Sequence, residues 1–219
     1  MIKVGVIGAN GFLGLELLRI LSVHPKVEIS KILKRENDIE DEFTHLSSLS
    51  LNKLQTSNID DFKGLDCVFL SLPHGSASEY VKELIDKVKI IDLSSDYRID
   101  DAKSYEAYYK TSFDPSIQSK FTYGFIESAL DDIKKSSNVA NPGCFALASQ
   151  LAILPFHSLI KNISITAITG SSGGGKLPSI KNHHSTRSKD IFSYNINKHR
   201  HLAEIFQSYP SLNNKLSFV

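Results

Sequence analysis

The stretch that decides the fold stands at the start of the chain and reads Ile2-Lys3-Val4-Gly5-Val6-Ile7-Gly8-Ala9-Asn10-Gly11-Phe12-Leu13-Gly14. The mostly apolar residues 2–7 predict a buried strand, and residues 12–23 predict an apolar helix. A glycine-rich turn separates the two elements. A strand, a tight turn and a helix form the first part of a βαβ unit, so this stretch predicts an α/β fold.

The segments that follow continue the alternation of strands and helices. Further strands are predicted at residues 27–33, 66–72 and 89–93. The strand at residues 66–72 is almost continuously apolar, as buried parallel strands are. A helix is predicted from residue 76 to about residue 87, with Ser76 as its cap and Glu79 as the capping-box partner. We therefore expect a Rossmann-like, doubly wound parallel sheet over residues 1–143.

The second half of the chain has a different rhythm. A short strand near residues 137–140 leads into Asn141-Pro142-Gly143-Cys144, and an apolar helix is predicted over residues 144–159. A β-branched strand at residues 163–169 and a Gly/Ser loop at residues 170–175 follow, and residues 215–219 resemble a strand that has only begun. We expect an incomplete α+β domain over residues 144–219.

Composition limits the classes of partner. The chain has 219 residues, 41% of them hydrophobic, and 25 Lys and Arg balance 24 Asp and Glu, which indicates neither a nucleic acid nor a membrane as partner. Two cysteines make no disulfide framework in a chain of this length. The sequence starts directly on a strand-like segment, so we expect a protein of the reducing cytoplasm.

The glycine turn is the first candidate site, because glycines let a backbone approach a pyrophosphate at a helix N-terminus. Lys34 and Arg35 follow the second strand and suit a 2′-phosphate, which favours NADP, whereas the adjacent Glu36 keeps NAD open. A plain turn and two solvated cations are the structural alternative. The predicted cofactor-binding residues of this loop are Gly8, Ala9, Asn10, Gly11 and Gly14.

Cys144 is the second candidate site. It stands where a helix is predicted to begin, and free N–H groups and the positive end of the helix dipole favour a thiolate there. Attack by this thiolate on an acyl phosphate would expel phosphate and leave a thioester, which is a good hydride acceptor. Cys67, in an apolar strand, is expected to be a core residue.

Histidines that follow the cysteine could serve as acid and base. The clusters are His183-His184 and His199-Arg200-His201, within a basic stretch from Lys176 to His201 that contains a single acid, Asp190. Such a stretch is either a solvated face or a surface for an anionic substrate or an acidic partner. Its His-x-His spacing does not match structural zinc motifs, so we expect no metal.

These pieces resemble the family of N-acetyl-γ-glutamyl-phosphate reductases, including the branch that reduces aminoadipyl or glutamyl phosphates attached to a small carrier protein. The resembling segments recur in order along essentially the whole chain. They are Gly8 to Gly14, Leu72-Pro73-His74-Gly75, Asp92-Leu93-Ser94-Ser95-Asp96-Tyr97-Arg98, Tyr123-Gly124 with Glu127, Asn141 to Cys144, and Gly170 to Glu204.

The resemblance implies an NADP-dependent oxidoreductase of arginine or lysine biosynthesis, which reduces an acyl phosphate to a semialdehyde. It implies that Cys144 is the nucleophile and that His199 or His201 is the acid/base. It also places Arg98 near the substrate and the loop with Ser171 and Gly173 near the cofactor.

A further part of the resemblance concerns the substrate. His183, His184 and Arg187 match the His-His-x-x-Arg segment of the carrier-protein branch, although that branch usually shows Pro-Glu where this chain has Ser185-Thr186. Because the carrier is acidic, the basic stretch favours a carrier-linked substrate slightly over free N-acetylglutamyl phosphate.

The family also implies a homodimer or homotetramer formed through a substrate and dimerisation domain. Its members are longer than this chain, so we expect a truncated second domain and weak stability and activity of the chain alone. Two alternatives stay open: a reductase of the same chemical plan that acts on aspartyl phosphate, and a truncated nucleotide-binding protein without catalysis.

Overall fold

The computed structural model describes residues 1–34, 58–110, 114–177 and 179–219. By its internal contacts the chain divides into one unit of Met1–Asp96 with Lys135–Asn141, and a second of Tyr97–Lys134 with Pro142–Val219. The domain boundary predicted between residues 143 and 144 stays a prediction.

The described elements alternate along the chain. The strands are β1 (Ile2–Ile7), β2 (Val27–Leu33), β3 (Cys67–Leu70), β4 (Lys89–Asp92), β5 (Phe121–Tyr123), β6 (Asn138–Ala140), β7 (Ile163–Ile165) and β8 (Leu216–Phe218). The helices are α1 (Phe12–Ser22), α2 (Ala77–Leu84), α3 (Ala102–Tyr109), α4 (Pro115–Gln118), α5 (Ile126–Lys135), α6 (Cys144–Ile153), α7 (His184–Arg187) and α8 (His201–Ser208).

The first unit contains a parallel sheet in which five strands follow the order β2-β1-β3-β4-β6. β1 pairs with β2 on one side and with β3 on the other, so the strand order reverses beside β1. In open parallel sheets ligands bind beyond the carboxyl ends of the strands at such a reversal. The predicted Rossmann-like parallel sheet is confirmed.

Apolar side chains of β1, α1 and β2 hold this arrangement together. Their buried cluster consists of Val4, Val6, Ala9, Leu18, Leu21 and Ile32. Each Val, Leu or Ile side chain of this cluster contributes about 1.5–3 kcal/mol when it is fully removed from water. This packing fixes the turn between β1 and α1, which is the first candidate site.

The cap of α2 differs from the prediction. The side chain of Ser76 makes no capping hydrogen bond. Instead, Oδ2 of Asp96 accepts a hydrogen bond from the N–H of Ala77 over 3.0 Å, and its Oδ1 accepts one from Gly75 over 2.7 Å. A carboxylate from a distant part of the chain satisfies these N–H groups, so the local Ser-x-x-Glu pattern was a wrong guide.

In the second unit α6 and α8 enclose an apolar core together with β7 and β8. The buried members of this cluster are Phe125, Ile153, Leu202, Ile205, Tyr209, Leu212 and Phe218. β7 and β8 pair in parallel, so the predicted terminal strand is confirmed. The helix predicted to residue 159 ends at Ile153 and continues as a 3₁₀ turn, Leu154–Phe156, because Pro155 lacks the N–H that a longer helix requires.

The described residues of the segment from Tyr105 to Tyr123 contain the end of α3, the short α4 and β5. None of the helices within the described ranges combines the length and the apolar character that crossing a membrane requires.

Candidate active site

The turn between β1 and α1 has the geometry of a phosphate-binding loop. Gly8 has a φ of +79°, and a Cβ there would run into the carbonyl oxygen of Ser71. A Cβ on Gly14 would likewise collide with the carbonyl oxygen of Gly8. Both positions therefore require glycine. Gly11 is the N-cap of α1 and makes no side-chain cap, so the first N–H groups of this helix suit a pyrophosphate.

The remaining residues of this predicted site lie around the same turn. Ala9 and Asn10 are buried in it, and Lys34 directly follows β2. Arg35 and Glu36, on which the choice between NADP and NAD also depends, lie outside the described residues. The arrangement fits a dinucleotide, whereas the preference for NADP stays a prediction.

A polar cluster stands beyond the carboxyl ends of β3 and β4. Nδ1 of His74 lies 3.0 Å from Oδ1 of Asp96 and 2.9 Å from Oγ of Ser95. Ser94 donates to Asp92 from its N–H and from its Oγ, over 2.9 and 2.8 Å. Because β1 ends at the same edge of the sheet, this cluster adds polar groups to the edge that carries the glycine turn.

Cys144 is the first residue of α6 and is exposed, and Gly143 is the N-cap of that helix. The other thiol has a different setting: burial raises the pKa of Cys67 to about 11, because the low-dielectric surroundings disfavour a thiolate. The predicted helix-start position of Cys144 is confirmed, and its nucleophilic role stays a prediction.

Both candidate imidazoles pack close to the residue after the cysteine. The ring of Phe145 lies edge-on to His199 and to His201, with centroid distances of 5.3 and 6.1 Å. The centroids of the two imidazoles are 4.6 Å apart. Tyr194 stacks edge-on against His199 at 5.6 Å. Burial raises the pKa of the Tyr194 phenol, with the nearby thiol of Cys144 as the next cause.

The two histidines are held neutral to different degrees. Burial lowers the pKa of His201 to about 2, with further lowering by His199, Arg98 and Arg200. Burial and the charge of Arg200 also lower the pKa of His199. Nδ1 of His201 is buried and has no hydrogen-bond partner in the described part of the chain. At neutral pH both side chains are therefore uncharged imidazoles.

Beneath these rings lies a carboxylate that the sequence reasoning did not single out. Glu204 is fully buried in the first turn of α8. Its Oε2 accepts hydrogen bonds from the N–H of Gly143 and from the hydroxyl of Tyr123, each over 2.8 Å. Its Oε1 lies 3.5 Å from Nη1 of Arg98 and 4.0 Å from Nε2 of His201. Arg98 is thus the nearer partner of this charge.

The predicted substrate residue Arg98 is therefore buried and paired with an acid, which is the structural alternative to substrate binding. Gln150 extends the network, because its Nε2 donates to the hydroxyl of Tyr123 over 2.8 Å. A signal for Glu204 was available in the sequence: an acid three residues after a histidine shares its helix face. Tyr123 and Gln150 carried no local signal of this kind.

The other predicted site residues lie in exposed segments of the second unit. Ser171 and Gly173 belong to the 3₁₀ turn Ser171–Gly174, and His183 and His184 are exposed at the start of α7. The guanidinium carbon of Arg187 stands 3.6 Å over the ring of Phe192. No group of three or more His, Cys, Asp or Glu side chains within the described ranges is placed to hold a metal ion.

Comparison with known proteins places the chain in a family. Residues 3–136 match the family described as semialdehyde dehydrogenase, NAD binding domain, and residues 144–219 match the semialdehyde dehydrogenase dimerisation domain. Among solved structures, aspartate semialdehyde dehydrogenase II from Vibrio cholerae superposes with a TM-score of 0.56 at 18% identity, covering 80% of this chain and 48% of the other. That likeness concerns the fold alone.

Curated relatives are more similar in sequence. A protein of Karelsulcia muelleri named N-acetyl-gamma-glutamyl-phosphate reductase is 39% identical over 222 residues, covering 98% of this chain and 64% of the relative. A protein of Pyrococcus furiosus named as a [LysW]-L-2-aminoadipate/[LysW]-L-glutamate phosphate reductase is 38% identical over 210 residues, which cover 94% of this chain and 62% of the relative. The chain thus spans less than two thirds of the length of these relatives. It belongs to the semialdehyde dehydrogenase family, with the NAD-binding and dimerisation domains that define that family.

Proposed function

We propose that this chain performs the NADPH-dependent reduction of an N-modified γ-glutamyl or aminoadipyl phosphate to its semialdehyde, through a thioester on Cys144. The observation that carries the proposal is an exposed thiol at the first residue of α6, next to Phe145, whose ring contacts two neutral imidazoles. The names of the relatives, which are phosphate reductases, support the same reaction class.

The thiol supplies the covalent step. Sγ of Cys144 forms a bond to the acyl carbon, the bond from that carbon to the phosphate oxygen breaks, and phosphate leaves with the electron pair. The free N–H groups in the first turn of α6 stabilise both the thiolate and the oxyanion that develops on the acyl oxygen. The cofactor, when bound, would supply a hydride to the thioester carbon, and the bond from that carbon to Sγ then breaks, which releases the aldehyde and returns the thiolate of Cys144.

The histidine pair supplies a hydrogen-bond donor. The backbone N–H of His201 donates to Nδ1 of His199, so the ring proton of neutral His199 is on Nε2. From there it can hydrogen-bond to an oxyanion that develops on the acyl oxygen. His201 is sealed by burial and keeps its neutral form. His199 is therefore the proposed hydrogen-bond donor to the oxyanion, through its neutral Nε2–H, and the backbone N–H of His201 holds it in that tautomer.

The first unit supplies the cofactor site. Gly8, Gly11 and Gly14 admit the pyrophosphate at the start of α1, and Lys34 with Arg35 would hold a 2′-phosphate. Ser171 and Gly173 are proposed as further cofactor contacts. The dimerisation domain of the family supports a homodimer or homotetramer.

The exposed basic segment with His183, His184 and Arg187 supports a slight preference for a substrate carried on an acidic protein. A titration of NADPH oxidation with N-acetylglutamyl phosphate and with carrier-linked acyl phosphates separates these substrates. Aspartyl phosphate serves as the competing substrate of the same chemical plan.

Cys144→Ser tests the covalent mechanism. We expect this variant to lose acyl-phosphate-dependent NADPH oxidation while it still binds NADPH, because the first unit is untouched. Cys67→Ser is the matched control and should keep its activity, since Cys67 is a strand residue with a raised pKa. Undiminished turnover by Cys144→Ser would contradict the thioester. A wild-type chain that binds NADPH and reduces no acyl phosphate would instead support a non-catalytic nucleotide-binding protein.

A further inference from the structure

One buried carboxylate joins the turn before the nucleophile to helix α8, which begins at His201. Oε2 of Glu204 accepts the N–H of Gly143, the residue immediately before Cys144, over 2.8 Å. Glu204 also lies one helical turn after His201 on the same face of α8. The carboxylate of Glu204 therefore connects the backbone of the turn before Cys144 with α8, the helix that contains His201.

This connection is built to be specific. Oε2 takes a second hydrogen bond from the hydroxyl of Tyr123, which is itself held by Nε2 of Gln150 over 2.8 Å. The far side of Gln150 is held in turn, since its Oε1 accepts the hydroxyl of Ser208 over 2.8 Å. Both donors bind Oε2, whereas Oε1 makes no hydrogen bond within the described residues and has the Arg98 guanidinium 3.5 Å away.

Close packing restricts the turn on its other side. A Cβ on Gly143 would collide with the ring of His201 and the guanidinium of Arg98. The turn can thus approach the histidine only as glycine, and Glu204 holds it at that approach. A small movement of Gly143 would shift Cys144 relative to both imidazoles.

We propose that Glu204 is a positioning residue that fixes the Gly143–Cys144 turn against α8 and so sets the reactivity of the Cys144 thiol. This inference rests on the proposed covalent function, but its main test does not require a substrate. The charged and titratable groups that face this carboxylate are Arg98, Tyr109, Tyr123 and His201. Tyr194 interacts electrostatically with Cys144.

The test is the rate of alkylation of Cys144 by iodoacetamide between pH 5 and 10, measured on the purified chain in a Cys67→Ser background. In Glu204→Gln a negative charge is lost beside Arg98 while a carbonyl acceptor is kept. We expect the high-pH plateau of the alkylation rate to stay near that of the parent, because an acceptor for the Gly143 N–H is kept. In Glu204→Ala the acceptor is lost too, so we expect the plateau to change by at least about threefold.

Gln207→Ala is the matched control, because it removes two hydrogen bonds from the same helix away from the thiol. Gln207 donates to the carbonyl of Arg98 over 3.0 Å and accepts from the N–H of Asp100 over 2.9 Å. We expect it to lower the melting temperature without changing the plateau of the alkylation rate. The proposal is overturned if both Glu204 variants match the parent profile, or if Gln207→Ala changes that profile as much as Glu204→Ala.

The kinetic arm separates the two proposals. If NADPH oxidation is present, Glu204→Ala should lower kcat with little change in the KM for NADPH, and Glu204→Gln should recover part of it. If the parent chain shows no acyl-phosphate reduction and the alkylation profiles still shift as expected, the reductase function is wrong and the positioning role stands.

Discussion

The backbone N–H of His201 donates a hydrogen bond to Nδ1 of His199 over 3.2 Å, so the protonation state of His199 depends on the backbone of His201. Protonation of His199 would place a proton on Nδ1 and turn this contact into a clash of two donors. Burial and the charge of Arg200 lower the pKa of His199 in the same direction. The neutral form of His199 is the form that the fold selects.

The acid limb of the pH–rate profile should therefore belong to His199. With its pKa lowered from 6.5, activity should be constant around neutral pH and decline only as pH falls below 6.5 and His199 becomes charged. His199→Asn should lower kcat by about 10²–10⁴-fold and remove this limb. His201→Asn is the comparison: its turnover should be lower, but its pH–rate profile should keep the acid limb. If the acid limb survives in His199→Asn and disappears in His201→Asn, His201 and not His199 is the group that titrates.

Stability should follow pH through His201. Its pKa is about 2 in the folded chain, so below pH 6.5 the unfolded chain binds a proton that the folded chain does not. The free energy of unfolding should thus fall as pH falls from 6.5, by up to about 1.4 kcal/mol per pH unit, and this contribution is fully present above pH 6.5. Urea denaturation at pH 5, 6, 7 and 8 measures it. His201→Gln should show a shallower decline, and an equal slope would contradict the assignment.

Asp96 should contribute to stability as the cap of α2. Asp96→Ala removes the acceptors of the Gly75 and Ala77 N–H groups and the contact to His74, and we expect a loss of about 1–2 kcal/mol in the free energy of unfolding. Ser76→Ala should change it by less than about 0.5 kcal/mol, because the Ser76 side chain makes no capping hydrogen bond. A larger loss in Ser76→Ala than in Asp96→Ala would restore the local capping box.

The contrast between these two residues shows what the sequence could and could not predict. Runs of hydrophobic residues predicted β1 to β4 and α1 closely. The pattern of apolar residues that marks a strand or a helix is local, because it repeats over a few neighbouring residues. The cap of α2 depends on Asp96, 19 positions after Ala77, and no local pattern carries that information. The helix predicted to residue 159 ends at Ile153, and the strand predicted to residue 169 ends at Ile165.

The candidate active site divides along the same line. Cys144 at a helix start and the His-x-His pair are local patterns, and the structure brings the residue after Cys144 against both rings. Arg98 was predicted from the resemblance, but its buried partner Glu204 lies 106 residues further along the chain. Such pairs form only when the tertiary fold brings α8 to the turn before α6.

Lys34 should influence the choice of dinucleotide. It directly follows β2, the position from which a side chain reaches the ribose 2′ substituent. Lys34→Ala should weaken NADPH binding by about tenfold and leave NADH binding unchanged, because one charge-assisted contact to a phosphate is worth about 1.5–3 kcal/mol. Fluorescence titration with both nucleotides measures this. Equal weakening of NADH and NADPH would remove Lys34 from the 2′-phosphate site.

Gly143 should tolerate no side chain. In Gly143→Ala the new methyl group would meet the His201 ring and the Arg98 guanidinium, both buried and unable to retreat without breaking the contacts of Glu204. We expect a loss of about 1–3 kcal/mol in the free energy of unfolding, together with a changed alkylation rate of Cys144. Gly64→Ala is the control, since a Cβ there meets no atom within 4 Å and should change stability by less than about 0.5 kcal/mol. If Gly143→Ala melts and alkylates like Gly64→Ala, the close approach of His201 to the nucleophile's turn is wrong, and with it the reason why a glycine precedes the cysteine.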